Sequence, residues 1–510
     1  MAISCGWFSY WGESAGQPHV SANRGAEGSL GMELWLAPVT SAKVLCYEIG
    51  VVLPAELLKG ISSIGGGKVA LVVGAGCSVE PPTNVPVASI CSREIHRRLV
   101  ADGVLQAGDC AVSEDLSLVA DAVFMKKNSQ RDVVELLLEQ YDLKLAPANT
   151  GYLVAAAMLC EGAIASVVTL NFDLALSNAL SELGAGRIVG VIECPDDLPR
   201  QKNVNVYYLH RNANAQDPES WVLRTVALQH EWKAHWEAII AAKVLAAPIV
   251  VFAGLGTPVA VLLESAKLIR DALPGVKVFQ VDPQDSAKSV FFKELGIDAS
   301  AYIRNGWRQF MEELSDRLLK EQIVRLEQAA QRKVQDDALT SEDLSNLLRR
   351  LEALGLVKLG KLRARWLVQD RPYCPEDSGG LGLIADLLLA LALMARISEA
   401  TAVIIEDGLI EFHRGQQTVA AYLVASGCGH RGKSAMEAAV DRERLHYRSR
   451  ASALNGAIIA GTSDSWMPTP PKDIVRGDVS ENIVDEVSDF PLVHVAELRA
   501  DISRISEMVP

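Results

Sequence analysis

The sequence predicts an α/β protein, built on a doubly wound parallel sheet with a helical insertion and followed by a C-terminal α+β region. Five short runs rich in Val and Ile, almost free of charge, are typical of strands buried on both faces of a parallel sheet. Helical patterns fall between most of these runs, and such alternation is typical of doubly wound sheets. A chain of 510 residues has room for several domains of roughly 100–200 residues each.

The predicted strands of this sheet come in order along residues 68–315. The stretch at about residues 90–160, between the first and second strands, is helical throughout, which predicts an insertion rather than a simple crossover. Residues 68–315 are therefore expected to form a Rossmann-like core. The strands are Val69–Val73, Ile164–Thr169, Val204–Leu209, Pro248–Ala253 and Val276–Val281, and the helices are Val87–Ala101, Ser117–Met125, Arg131–Tyr141, Leu174–Leu183 and Val259–Leu273.

A second, mainly helical region is predicted over residues 316–400. A long amphipathic helix covers Trp307–Gln331, and a hydroxyl-then-acid N-cap at Thr340–Asp343 opens another helix that Gly355 ends. The basic, strand-like segment Leu362–Val368 follows. This order resembles a winged helix, a module that binds nucleic acid or protein; the alternative is an ordinary helical connector.

Residues 401–510 are predicted to form a small α/β domain, and residues 1–67 an N-terminal extension without recognisable chemistry. Asp407-Gly408 lies between two apolar runs and is a hairpin signal. The predicted elements are strands at Val403–Glu406, Leu409–Phe412, Val419–Ala425 and Ala457–Ala460, and a helix at Ala435–Tyr447.

Composition and charge restrict the classes of function. A net charge of −14 disfavours direct coating of nucleic acid, which needs a positive surface. The nine cysteines include no pair separated by two residues, so no zinc signature is present, and free thiols in a reducing compartment are expected. No uncharged apolar run is long enough to span a membrane, and the N-terminus lacks a secretory signal. These features predict a soluble cytoplasmic protein without a bound metal.

Glycines or polar side chains follow every predicted strand of the core. In an open parallel sheet, ligands bind beyond the carboxyl ends of the strands. Taken singly, Asn171 could cap a helix, His210 could be a core histidine and Asp282 could cap a turn, but their joint placement predicts a ligand site. The candidates are Gly74, Ala75, Gly76 and Ser78 after the first strand, Thr169, Asn171 and Asp173 at the second, His210 at the third, Gly254, Gly256 and Thr257 at the fourth, and Asp282 at the fifth.

The glycine turn does not fit an ordinary dehydrogenase. The third glycine of the dinucleotide fingerprint is missing, and so is the acidic residue expected roughly 20 residues further on. Taken alone, Gly74–Ser78 could equally be a tight strand-to-helix turn without a ligand. The chemistry has to be inferred from the whole set of strand ends.

Four segments together resemble the sirtuin (silent information regulator type) family, and more closely its bacterial NAD-consuming branch found in anti-phage defence. Gly74–Ser78 matches the family's Gly-Ala-Gly-x-Ser, Thr169–Asp173 its Thr-x-Asn-x-Asp, and Leu209-His210 its catalytic Leu-His-Gly. Gly254–Thr257 is similar to the loop that contacts the adenosine half of NAD. The resemblance covers about residues 68–310.

The chain departs from the family pattern in three places. It cannot build the four-cysteine zinc module of the deacylases, and Val79–Pro82 replaces their Gly-Ile-Pro-Asp-Phe segment. Both departures suit the defence branch, in which a helical insertion replaces the zinc module. Arg211 stands where a glycine is expected after His210, and it could crowd the site or contact a phosphate.

The resemblance implies an NAD hydrolase that cleaves the nicotinamide–ribose bond, with NAD as substrate. Asn171 would orient the ribose and the attacking water, and His210, with an ordinary pKa of about 6.5, would be the base. Asp173 would hold the nicotinamide end. Gly74, Ala75 and Gly76 would cradle the pyrophosphate through backbone N–H groups.

The same resemblance implies a regulated effector of anti-phage defence that depletes NAD. It also implies a homo-oligomer, or a complex with a defence partner such as an Argonaute-type protein or a translocase ATPase. Two alternatives stay open: an NAD-dependent protein deacylase or ADP-ribosyltransferase, and a non-enzymatic NAD or nucleotide sensor, which Arg211 would favour. The segment Gly427–Ser434 fits the phosphate-binding P-loop pattern, with a plain turn as its alternative.

Overall fold

The computed structural model describes most of the predicted core and much of the C-terminal region. Several sequence predictions lie wholly or partly outside the described residues. They are the extension apart from residues 53–62, Thr257, Val259 at the start of a predicted helix, Thr340 of the predicted N-cap, residues 367–368 of the predicted strand, Glu406 and Asp407 of the predicted hairpin, the loop Gly427–Ser434, and residues 435–439 and 442 of the helix predicted at Ala435–Tyr447. The described residues are 53–62, 68–229, 236–256, 260–273, 275–333, 341–366, 378–405, 408–426, 440–441, 443–447, 454–460 and 490–509.

A seven-stranded, all-parallel sheet forms the centre of the first region, in the order β3-β4-β2-β1-β5-β6-β7. The five predicted strands are confirmed within one or two residues at each end. Two further strands, β3 and β7, were not predicted because they are only four and three residues long and lie at the edges of the sheet. The strands are β1 (Val69–Val73), β2 (Ser166–Thr169), β3 (Val189–Ile192), β4 (Val204–Tyr208), β5 (Ile249–Ala253), β6 (Lys277–Asp282) and β7 (Tyr302–Arg304).

Helices cover both faces of this sheet, because the apolar side chains of the central strands point alternately to either side. Val69, Leu71 and Val73 pack in one core and Ala70 and Val72 in the other. The helical insertion is confirmed as α2–α5. The helices of this region are α1 (Ala55–Ile61), α2 (Ala88–Ala101), α3 (Leu116–Lys127), α4 (Arg131–Gln140), α5 (Thr150–Cys160), α6 (Ala175–Glu182), α7 (Thr225–Gln229), α8 (Trp236–Leu245), α9 (Ala260–Ala272) and α10 (Val290–Leu295).

The strand order places the switch point of the sheet between β1 and β5. After β1 the chain builds β2, β3 and β4 on one side, and it then crosses to β5, β6 and β7 on the other. In doubly wound sheets the crevice at such a switch point is where ligands bind. The loops Gly74–Ser78 and Gly254–Gly256 follow β1 and β5 and therefore flank this crevice.

A second core lies in the C-terminal region, where helices pack on a five-stranded mixed sheet of order β12-β11-β10-β9-β8. The hairpin predicted around Asp407-Gly408 is confirmed as the antiparallel pair β8 and β9. The elements are α11 (Trp307–Lys333), α12 (Ser341–Trp366), α13 (Ser378–Ile397), β8 (Thr401–Ile404), β9 (Ile410–Arg414), β10 (Gln417–Ser426), β11 (Gly456–Ala460), β12 (Leu492–His494), α14 (Val495–Ala500) and α15 (Ser503–Met508).

The strand predicted over Leu362–Val368 is wrong for Leu362–Trp366, which is helical, and residues 367–368 lie outside the described residues. The winged-helix interpretation loses the strand on which it depended. Gly355 does interrupt α12, with φ of 78° and ψ of 163°, as its stop signal predicted. Helix then resumes and continues to Trp366, because Leu362 is buried in the second core and the Trp366 indole donates a hydrogen bond to the Gly408 carbonyl at 2.9 Å. Tertiary packing has overridden a local strand pattern.

Helix α11 contributes to both cores. Trp307, Phe310 and Leu314 near its start pack in the first core, whereas Leu326 and Ala330 near its end pack in the second. Helix α5 packs against both α11 and α12. None of the described helices is long and apolar enough to cross a membrane. Within the same residues, no three His, Cys, Asp or Glu side chains are grouped to hold a metal ion.

Candidate functional site

A buried polar cluster joins the segments that follow β1 and β2. The amide nitrogen of Asn171 lies 3.1 Å from the Gly74 carbonyl oxygen, 3.0 Å from Ser78 Oγ and 2.9 Å from Tyr152 Oη. Ser78 Oγ donates to Asp173 Oδ2 at 2.8 Å. All four side chains are less than 7% exposed. Three predicted site residues, Ser78, Asn171 and Asp173, are thus brought together, and Tyr152 joins them from α5.

The hydrogen bonds of this cluster have a definite direction. Because the Ser78 hydroxyl hydrogen goes to Asp173, Tyr152 has to donate to Ser78 Oγ across their 2.8 Å contact. Tyr152 Oη then accepts from Asn171. The amide cannot be turned around, since its oxygen would then face the Gly74 carbonyl oxygen. Asn171 Oδ1 is therefore an acceptor, and no donor among the described residues is bonded to it.

Asp173 acts as an anchor within this cluster. One carboxylate oxygen accepts from Ser78, and the other accepts from the backbone N–H of Ala175 at 3.1 Å, in the first turn of α6. Burial raises the pKa of Asp173 above its usual value, while the hydrogen bond from Ser78 acts in the opposite direction. Its contact with the nicotinamide end remains a prediction; the contacts in the structure are with Ser78 and α6.

The glycines at the switch point let two loops approach closely. A Cβ added at Gly76 would lie 2.8 Å from Gly254 Cα, and one added at Gly254 would lie 2.5 Å from the Cys77 nitrogen. Gly254 also has φ of 66°, in the left-handed region that favours glycine. Gly256 has no heavy atom within 4 Å of such a Cβ, so the packing of the two loops does not require it.

The backbone N–H groups of the first glycine turn are largely engaged within the protein. Gly74 N–H donates to the Ala253 carbonyl and Gly76 N–H to the Gly254 carbonyl, each at 2.9 Å. The N–H groups of Gly74 and Gly76 are therefore not available to a phosphate in this structure, and the predicted cradle of three N–H groups is not formed. The N–H of Ala75 takes no part in these loop bonds. The glycines serve close backbone approach instead.

His210 lies directly beyond β4 and is 7% exposed. Burial lowers its pKa from 6.5 to about 4, and a hydrogen bond to the Leu170 backbone opposes this shift. The expectation of an ordinary pKa for His210 is therefore wrong. At neutral pH the ring is uncharged and donates to Leu170, which leaves its second nitrogen as an acceptor. Its ring centroid lies 6.3 Å from that of Phe172, which stacks on Trp221.

Arg211 has the backbone conformation that a glycine would provide, with φ of 69°. Its guanidinium donates to the Glu193 carbonyl at 3.0 Å and lies 3.9 Å from the buried carboxylate of Glu237. It also lies over the Trp236 ring, 5.5 Å from its centroid. The side chain is thus held between the loop after β3 and helix α8, and these contacts offset the strain at its backbone.

The far end of the sheet edge carries Asp282 and Asn305. Asp282 accepts the Gln284 N–H at 2.8 Å, so it caps a turn, and burial raises its pKa. Its carbonyl accepts the Asn305 N–H at 3.1 Å. Asn305 is 3% exposed, and neither amide atom of its side chain has a hydrogen-bonding partner among the described residues. Such a group costs stability unless water or a ligand bonds to it.

Sequence reasoning missed three residues that shape this site: Tyr152, Asn149 and Asn305. Asn149 caps α5 with its Oδ1 and donates from Nδ2 to the Cys77 carbonyl at 2.8 Å, which ties the insertion to the glycine turn. The capping position before an apolar helix was readable in the sequence. Nothing local distinguishes Tyr152 or Asn305, because residues distant in sequence place both of them. Tyr152 is bonded to Ser78, 74 residues away, and the backbone N–H of Asn305 is bonded to Asp282, 23 residues away.

Similar solved structures include Sir2 enzymes. A crystal structure of a Sir2 homologue–NAD complex is 15% identical, with 53% of this chain and 96% of that chain covered and a TM-score of 0.33. A structure on the mechanism and regulation of Sir2 enzymes is 13% identical, with 52% and 98% covered and a TM-score of 0.29. No protein-family model and no curated protein matches. Similarity at this level does not determine function, which has to be argued from the site.

Proposed function

We propose that the first region binds NAD along the carboxyl edge of its sheet and hydrolyses the nicotinamide–ribose bond. The observation that carries this proposal is the placement of His210 and the Asn171 cluster on one side of the β1/β5 switch point, with a glycine turn at the switch point itself. Asn171 offers an acceptor and His210 a neutral ring with an acceptor nitrogen. These are the groups that orient a water and take its proton.

The length of the edge supports a dinucleotide. From β4, which carries His210, to β7, which carries Asn305, there are five strand spacings, or about 24 Å. Two nucleosides joined by a pyrophosphate suit such a span. In this arrangement the nicotinamide ribose lies at Asn171 and His210, the pyrophosphate crosses at Ala75, and the adenosine half extends towards Gly256, Asp282 and Asn305.

The reaction then needs only groups of this chain and one water. The bond between the ribose C1′ and the nicotinamide nitrogen breaks, and the electron pair leaves with nicotinamide. Water adds to the oxocarbenium-like ribose carbon while His210 takes its proton. The products are nicotinamide, ADP-ribose and a proton. A neutral His210 does not repel the positive charge that develops on the ribose, as a protonated ring would.

We further propose that the enzyme is held inactive until triggered, as an effector of anti-phage defence acting as an oligomer or with a partner. Helix α11, which contributes to both cores, supports a coupling between the C-terminal region and the site. Unregulated loss of NAD would be toxic to the cell that makes the protein, which is the reason to expect such control.

Purified full-length protein incubated with NAD tests the proposal, with nicotinamide and ADP-ribose followed by chromatography. Wild type should release both, alone or after addition of phage-infected lysate, and His210→Ala and Asn171→Ala should lose at least about 100-fold in rate. His413→Ala, which alters a histidine in the C-terminal sheet, is the matched control and should retain activity. Release of an acyl-ADP-ribose or an ADP-ribosylated protein would instead indicate a deacylase or transferase. NAD binding without any product would indicate a sensor.

A further inference from the structure

Tyr152 is the one member of the buried cluster that comes from the helical insertion. It lies in the first turn of α5, is 1% exposed and contacts both Asn171 and Ser78 through its hydroxyl. Burial raises the pKa of its phenol well above the usual value, so the hydroxyl keeps its hydrogen at neutral pH. The group is therefore a permanent donor to Ser78 and a permanent acceptor from Asn171.

We infer that Tyr152 is a positioning residue of the proposed reaction: its hydroxyl holds the Asn171 amide so that Oδ1 is kept for the substrate or the attacking water. The inference rests on the proposed function and names a residue through which the insertion acts on the site. The amide has two hydrogens for three acceptors, and Tyr152 Oη at 2.9 Å is the nearest of them. Removing the Tyr152 hydroxyl takes away one hydrogen bond to the amide and one to Ser78.

Packing against Trp307 fixes the position of the Tyr152 ring. Trp307, the first residue of α11, packs edge-on against its ring, with centroids 5.9 Å apart and planes at 60°. The Trp307 indole also lies against the backbone of Gly151, where an added Cβ would overlap it. This packing leaves the Tyr152 side chain little room to move, so its hydroxyl is held in one position relative to the Asn171 amide.

Kinetics of NAD consumption provide the first test. Tyr152→Phe should lower kcat roughly 10- to 100-fold with little change in KM, because the lost interaction orients a reacting group. Tyr208→Phe is the matched control: Tyr208 is equally buried, and its hydroxyl contacts Ser177 at 2.9 Å instead of Asn171. Equal rates for the two variants would overturn the inference.

A double-mutant cycle separates positioning from general damage. In an Asn171→Ala background, Tyr152→Phe should cause no further loss of kcat, because the group through which it acts is gone. A loss as large as in wild type would show an independent, structural role and overturn the inference. Thermal unfolding of each variant identifies any that fails to fold, and Tyr152→Leu, which also lacks the hydroxyl, then replaces Tyr152→Phe in the same cycle.

Crystal structures of wild type and Tyr152→Phe provide a readout that needs no turnover. The Asn171 side chain should rotate away from its position beside Gly74, or a water should take the place of the hydroxyl. An amide that stays in place without a new partner would overturn the inference. Absence of NAD consumption by wild type would overturn the proposed function, whereas an unmoved Asn171 would overturn only the role of Tyr152.

Discussion

The Glu80 carboxylate accepts a hydrogen bond from the backbone N–H of Arg308 at 2.9 Å, across 228 residues of sequence. Glu80 follows the glycine turn, and Arg308 lies in the first turn of α11, so the contact joins the candidate site to the helix that enters the second core. A carboxylate at this end also complements the helix dipole. Burial raises the pKa of Glu80, and the backbone N–H groups of Arg308 and Trp307 act in the opposite direction.

Loss of this carboxylate should destabilise the start of α11. Glu80→Ala is expected to lower the free energy of unfolding by about 1 kcal/mol, as for other helix caps, and Glu80→Gln by less, because the amide oxygen can still accept. Thermal denaturation would show a fall of a few degrees. Glu312→Ala is the control, since its exposed pair with Arg308 contributes little. Equal effects of Glu80→Ala and Glu312→Ala would contradict the capping role.

Because the two glycine loops approach closely, an alanine should destabilise the protein far more at Gly254 than at Gly256. Gly254→Ala combines a left-handed backbone with a Cβ 2.5 Å from the Cys77 nitrogen, and it should cost at least about 2 kcal/mol of unfolding free energy. Gly256→Ala meets nothing within 4 Å and should leave stability almost unchanged. Chemical denaturation of both variants compares them directly. A stable Gly254→Ala protein would contradict the packing described between the loops.

Asn305→Leu should separate stability from ligand binding. The Asn305 amide has no hydrogen-bonding partner among the described residues, so removing it should leave the free energy of unfolding unchanged or raise it by about 1 kcal/mol. If Asn305 serves the nucleotide, the Kd for NAD should rise about tenfold, which calorimetry would measure. Asn212→Leu is the contrast, because its buried amide is bonded to Glu193 and Asn214 and its loss should destabilise. Unchanged NAD affinity in Asn305→Leu would exclude a role in binding.

The buried His210 predicts a dependence of stability on pH. In the folded protein its pKa is about 4, below the unfolded value of about 6.5, so the unfolded chain takes up the proton first as pH falls. The stability that this group contributes is present above pH 6.5 and is lost as pH falls towards 4. On the order of 2 kcal/mol should disappear between pH 7.5 and pH 5.

Comparison with His210→Gln isolates this contribution. The raised pKa values of Asp173 and Asp282 act in the opposite direction, but they act equally in wild type and in the variant. Denaturation at pH 7.5 and at pH 5 should therefore show a smaller loss of stability in His210→Gln than in wild type. The same loss in both proteins would mean that His210 titrates normally.

The sequence by itself determined the central strands and the edge at which the site lies. Strands such as Val69–Val73 are buried on both faces, so their apolar runs are uninterrupted and can be read locally. Because parallel strands end on the same side, the residues after them, Asn171 and His210 among them, had to share one edge. Short edge strands such as Val189–Ile192 are too brief to produce this signal.

Only the tertiary structure decided the chemistry at that edge. It brought the Tyr152 hydroxyl to Asn171, and it buried His210 deeply enough to lower its pKa. It also bonded the N–H groups of Gly74 and Gly76 to the carbonyls of Ala253, at the end of β5, and of Gly254, in the loop that follows. It also made Leu362–Trp366 helical against the second core. The physical reason is the same in each case: hydrogen-bond partners, desolvation and packing depend on groups distant in sequence, whereas a strand pattern depends on its own residues.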